Sequence, residues 1–152
     1  MSSLRPAEWG CKRPTRQRRW CARIVTAVKV VDTSAIAAAL FAEPAADAVA
    51  ARLRGNALVA PTLLGYELAS VCLKKLRENP ASRTAILTQF AAWSQIGIGL
   101  FEVDHHPALQ LAETFGLTSY DAYYLSLAQQ LGAELITLDR RLARAAAGLG
   151  QA

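Results

Sequence analysis

Cysteine is scarce in this 152-residue chain: Cys11, Cys21 and Cys72 are all there are. Their number is odd, no two form a CxxC pair, and no His is spaced to complete a zinc set, so neither a disulfide framework nor a structural zinc site can be read. Free thiols in a cytoplasmic protein are the expectation. Long apolar runs are missing too. Ile24 to Val31 follows Arg18-Arg19 in the manner of a secretion signal, but Lys29 and Asp32 interrupt it, and no run of transmembrane length follows. No internal repeat or low-complexity segment appears, general Ala richness aside.

What is present suits one folded domain. A chain of this length supports one hydrophobic core and is too short for two ordinary domains, and its 53% hydrophobic and 19% charged residues are near the soluble average. The net charge of +5 is uneven. Residues 1–29 carry eight Lys/Arg against Glu8 alone, a balance of +7, while the remainder carries nine basic and eleven acidic residues, a balance of −2. Basicity therefore belongs to an N-terminal arm, residues 1–27, which lacks periodicity and is expected to be poorly ordered, or to precede a true start at Val28. Residues 28–152 are expected to hold the domain.

Hydrophobic periodicity predicts alternating strands and helices. Ile24 to Val31 reads as a buried strand ending at Asp32, followed by a helix over Ala35 to Ala42 and another over Ala45 to Leu53. Ala57 to Ala60 reads as a strand. A long helix runs from Pro61-Thr62 to Glu78, stopped by Asn79-Pro80, and another spans Ser82 to Ile96. The strand Leu100 to Val103, helices His106 to Phe115 and Ser119 to Leu131, the strand Glu134 to Leu138 and the helix Arg140 to Ala147 complete the pattern. The expected fold class is α/β, an α/β/α sandwich with a mostly parallel central sheet.

In open parallel sheets, ligands bind at the carboxyl ends of strands, and the acids fall there. Asp32 and Asp139 directly follow strands, Asp121 lies in the first turn of its helix, and Glu67 in the second turn of a helix beginning near Thr62. Taken singly, Asp32 and Asp139 read as helix caps and Asp121 as a dipole partner. Glu67 resists such a reading because it shares a helix side with Leu63, Leu64 and Val71, with no Lys or Arg in a neighbouring turn. Four acids on one edge without matching bases repel one another unless a cation joins them. Oxygen-only ligation suits Mg²⁺ or Mn²⁺, and a phosphodiester is the natural substrate.

The runs Val30-Val31-Asp32-Thr33-Ser34-Ala35, Tyr66-Glu67-Leu68-Ala69, Thr118-Ser119-Tyr120-Asp121-Ala122-Tyr123-Tyr124 and Ile136-Thr137-Leu138-Asp139-Arg140-Arg141-Leu142 resemble PIN-domain ribonucleases of the VapC toxin type. The resemblance extends from Val28 to about Gly148. It implies a doubly wound α/β/α domain, Mg²⁺- or Mn²⁺-dependent cleavage of RNA, a homodimer, and neutralisation by a small cognate antitoxin. Asp32, Glu67, Asp121 and Asp139 take the places of the family's acidic residues, and Ser34 and Thr137 match supporting hydroxyl positions. The chain departs from the pattern in the 27 residues ahead of Val28, and in an end at Ala152 that leaves little room for a final edge strand.

On this reading Asp32, Glu67 and Asp121 hold one metal, with Asp139 assisting it or a second ion, and hydrolysis leaves 5′-phosphate and 3′-hydroxyl ends. His105 and His106 lie past a strand on the same edge, and a solvated loop ahead of a helix is favoured over a general acid–base part. Tyr120, Tyr123 and Tyr124 read as packing rather than base-stacking residues, and Trp93 as core. A phosphoacceptor signalling domain fits poorly, since Val31 rather than an acid precedes Asp32 and no Lys follows Lys75. An inactive RNA- or antitoxin-binding module of the same fold is the remaining alternative.

Overall fold

The computed structural model describes residues 27–149. Cys11, Cys21 and the basic arm up to residue 26 lie outside the described residues. Four strands, β1 (Val28–Val31), β2 (Ala57–Pro61), β3 (Gly99–Phe101) and β4 (Glu134–Ile136), alternate with seven α-helices among them. These helices are α1 (Thr33–Leu40), α2 (Ala46–Leu53), α3 (Leu64–Glu78), α4 (Arg83–Ala91), α5 (His105–Phe115), α6 (Ser119–Leu131) and α7 (Arg140–Leu149).

The strand order is β3-β2-β1-β4, and every pairing is parallel. Strands so short hold a sheet only if buried, and Val30, Val31, Ala60 and Ile136 are fully so. From β1 the chain builds outward through β2 to β3, then returns past β1 to β4. With that reversal, right-handed crossovers as parallel connections favour would put α1–α4 on one face and the return helices on the other, and the helices pack in those two groups. Helix α6 packs against β1, β2 and β4 with α5 and α7 beside it, while α1 packs on α2 and α3, and α3 on α4. The reversal also sets a switch point between β1 and β4, the place where open α/β sheets bind ligands.

Several boundaries move from their sequence expectation, each for a local reason. Helix α1 begins at Thr33, two residues early, because Asp32 is already its cap; it ends at Leu40, and Ala42 takes a left-handed φ of 50°. Pro61 ends β2 instead of opening α3, so Glu67 stands in the first helical turn rather than the second. The helix expected over Ser82 to Ile96 divides into α4 flanked by 3₁₀ turns at Pro80–Ser82 and Ala92–Gln95. Strand β3 lies one residue earlier than expected and closes two residues sooner; it is an edge strand with Leu100 and Phe101 exposed. Strand β4 stops at Ile136, two residues short, since the Leu138 N–H donates to Ser34 Oγ at 2.9 Å instead of to a neighbouring strand.

Trp93, expected in the core, is partly buried and packs against its rim, and Cys72 is a buried free thiol. Beyond β4 the described residues add α7 and no fifth strand. No helix among them is long and apolar enough to cross a membrane.

Helix α6 ends at Gly132, whose φ of 56° is left-handed; its N–H donates to Gln129 O, and the Ala133 N–H to Ala128 O. A Cβ at Gly132 would meet nothing within 4 Å, so the backbone conformation alone opposes a side chain. Gly132→Ala is therefore expected to cost about 1 kcal/mol, read as a lower urea midpoint at unchanged slope.

Candidate active site

Asp32 follows β1 as the N-cap of α1 and is only 6% exposed. A buried carboxylate needs donors, and the fold supplies three: Ser34 Oγ at 2.5 Å, Thr137 Oγ1 at 2.8 Å and the Ser34 N–H at 3.3 Å. All three donate to Oδ2. The Ser34 and Thr137 hydroxyls lie 3.3 Å apart, and each accepts a backbone N–H of the β4–α7 connection, Thr137 from Asp139 and Ser34 from Leu138. The two hydroxyl positions singled out in the sequence thus tie the ends of β1 and β4 together. Burial outweighs these bonds and raises the Asp32 carboxyl above its ordinary range.

Glu67, on the first turn of α3, is partly buried against the core side of its helix. Thr33 Oγ1 and Tyr124 OH each donate to its Oε2 at 2.6 Å, and those two hydroxyls lie 2.8 Å apart. Its carboxyl is also raised, first by burial and then by the neighbouring charges of Asp32 and Asp121. The three acids therefore sense one another. Burial, then the bond to Glu67, pushes the Tyr124 phenol far above its ordinary value, so it remains a protonated donor.

Asp121 and Asp139 complete the edge. The Thr118 hydroxyl caps α6, accepting the Asp121 N–H at 3.1 Å and donating to Asp121 Oδ2 at 2.7 Å. Asp139 Oδ1 accepts the N–H groups of Arg141 at 2.7 Å and Leu142 at 2.9 Å, capping α7. The capping roles expected of Asp32 and Asp139 are real.

One regularity runs through the set. At Glu67, Asp121 and Asp139 the side-chain hydrogen bonds from the described residues fall on one oxygen, and at Asp32 those of Ser34 and Thr137 all fall on Oδ2, with the Thr33 backbone N–H adding a weaker contact. No Lys or Arg among the described residues pairs with any of the four; ion pairs go elsewhere, as in Glu134 with Lys29 and Arg52, or Glu43 with Lys75 at 2.7 Å. The four acids share one edge, yet no three Asp, Glu, His or Cys side chains among the described residues converge into a ready-made metal cage. The carboxylate oxygens are hard donors without a counter-charge, the donor type that oxygen-binding divalent cations take.

Tyr124 and Thr33 were the residues missed in sequence. Tyr124 is fully buried as a packing residue should be, but its hydroxyl orients Glu67. The signal available was its i+3 spacing from Asp121, which puts both on one side of α6. Tyr123 OH bonds His105 Nδ1 at 2.7 Å with the rings edge to face, and both His105 and His106 are exposed at the start of α5. A cavity of about 590 Å³ opens beside Glu67, lined by Thr33, Leu63, Tyr66, Ser70, Val71 and Tyr120. Another, about 580 Å³, lies between α6, β4 and α7 and touches the site only through Thr137.

Comparison with known proteins agrees with this fold. The PIN domain family matches residues 29–148. Ribonuclease VapC3 of Pyrobaculum aerophilum is 34% identical over 120 residues, 75% of this chain and 91% of that protein. The crystal structure of PAE2754 from Pyrobaculum aerophilum superposes with a TM-score of 0.66 at 25% identity, covering 89% of this chain and 90% of that one. The chain belongs to the PIN-domain family, in its VapC ribonuclease branch.

The raised carboxyls set a pH dependence. Asp32 and Glu67 bind protons more tightly when folded than at their ordinary values of 3.8 and 4.5 in the unfolded chain. Their stabilising contribution is complete below those values and is lost as pH rises through the raised ones. Asp32→Asn keeps a side-chain oxygen for Ser34 and Thr137 but removes one such titration. In EDTA, its melting temperature should fall less than the wild-type value between about pH 4 and pH 7; equal slopes would mean Asp32 is not buried as a charge.

Proposed function

We propose that this chain is a Mg²⁺- or Mn²⁺-dependent endoribonuclease, the toxin of a toxin–antitoxin pair, acting through Asp32, Glu67, Asp121 and Asp139. The observation that carries the reading is the way the carboxylates are held: hydroxyl and backbone donors fasten them to the scaffold, chiefly through one oxygen, and no Lys or Arg among the described residues pairs with any of them. A divalent cation held there would neutralise charge on the scissile phosphate and lower the pKa of water for in-line attack.

The chain's own residues do the rest. Ser34 and Thr137 hold Asp32 in one rotamer, and Thr33 and Tyr124 hold Glu67, so two ligands are ordered before a cation or substrate arrives. Asp121 and Asp139 present theirs from helix N-termini, where the helix dipole favours negative charge. With no side-chain nucleophile required, the products carry 5′-phosphate and 3′-hydroxyl ends. The domain from residue 28 onward, a small cognate antitoxin, a homodimer and a cytoplasmic location belong to the same proposal, supported by the family membership.

Purified protein is expected to cut single-stranded RNA with Mg²⁺ or Mn²⁺ and to stop in EDTA. Asp32→Asn preserves the cap, since Asn caps about as well as Asp. It should lose nearly all cleavage and most of the Mn²⁺-induced rise in melting temperature. Wild-type cleavage by that variant, or undiminished cleavage in EDTA once contaminating nuclease is excluded, would overturn the metal site; stable RNA binding without any cleavage would favour the inactive module.

A further inference from the structure

Two exposed aromatic rings stand beside the acids with no structural task. Tyr66 is 79% exposed and Tyr120 61% exposed. Each immediately precedes a site acid, Glu67 on α3 and Asp121 on α6. Both line the cavity of about 590 Å³ that has Glu67 in its wall, a size within the range of clefts that take organic ligands. Their hydroxyls have no partner among the described residues, whereas that of Tyr123 binds His105 and that of Tyr124 donates to Glu67. The expectation that Tyr120 is a packing residue therefore fails: it shares a helix side with the buried Tyr124 but stands in the first turn of α6, beyond the cover of the core.

We propose that Tyr66 and Tyr120 form a stacking platform for unpaired bases of single-stranded RNA next to the scissile phosphate. This rests on the ribonuclease reading and names the form of its substrate. The wall between the rings consists of Leu63, Val71, Thr33 and Ser70, with no Lys or Arg, so the surface offers apolar and π contact rather than a phosphate clamp. Its one charge is Glu67, which disfavours an acidic peptide as occupant. A nucleotide chain whose phosphate lies over the acids places its bases to one side, where these rings are. Stacking on an aromatic face accepts any base, and paired bases cannot reach it.

The test is a kinetic double-mutant cycle in Mg²⁺, after the wild-type cut has been mapped on a single-stranded oligonucleotide. Abasic sites are placed one at a time at the nucleotides flanking that cut. Tyr66→Ala and Tyr120→Ala should each lower kcat/KM on intact RNA by about tenfold, the order of one lost base–aromatic stack. Each should lose little more on the RNA that lacks its own base, while Tyr66→Phe and Tyr120→Phe should retain the wild-type value. Losses for Ala and abasic changes that simply multiply, or Ala variants that cut as wild type does, would overturn the platform while leaving the ribonuclease standing and giving the cavity to a partner protein. A wild-type protein that cuts no RNA with either metal would overturn both.

Discussion

The hydrogen bond from Thr137 to Asp32 is the contact on which the rest of the site depends. A carboxylate 6% exposed is tolerable only if its charge is met by donors, and no base among the described residues supplies one. Parallel pairing of β1 with β4 puts Ile136 beside Val31, and the Asp32 N–H continues the ladder to Ile136 O at 3.0 Å, so the next residue on β4 is brought to Asp32 by register alone. A hydroxyl at that residue, joined by Ser34, closes the network. The same network ends β4 early, because Leu138 and Asp139 give their N–H groups to Ser34 and Thr137. A strand is shortened, and Asp139 is turned onto the cap of α7.

What the sequence made legible follows from how local each signal is. The β-branched run into Asp32, the buried runs of β2 and β4 and the Gly stops at Gly116 and Gly132 depend on near neighbours, and each element was placed within a few residues. Strand β3 was placed as closely, although its outer edge is unpaired and Leu100 and Phe101 are exposed. The placement of the four acids at strand ends and helix starts was readable because it is local. Their supporting hydroxyls were readable only in part. Ser34 lies two residues from Asp32, but Thr33 and Tyr124 meet at Glu67 from separations of 34 and 57 residues, and only the packing of α1, α3 and α6 reveals that. Tyr120 and Tyr124 look equivalent in the sequence, one turn apart on the same helix; which faces solvent is decided by where α6 meets the sheet.

All four acids stand at helix N-termini, two as caps and two in first turns. The electrostatics of that arrangement explain how like charges are gathered without bases. Each carboxylate gains from the unpaired N–H groups and dipole of its own helix, a local gain that does not draw on its neighbours. Their mutual repulsion remains: burial is what chiefly raises the Glu67 carboxyl, and the charges of Asp32 and Asp121 raise it further. Basic residues could have relieved the repulsion, but a Lys or Arg paired to these acids would occupy carboxylate oxygens that no base now takes. Hydroxyl donors hold a carboxylate in place without cancelling its charge. Using Ser, Thr and Tyr where Lys or Arg would be more stabilising therefore keeps the negative potential at the switch point available to a cation, and the fold bears the cost as raised carboxyl pKa values that a bound cation would lower.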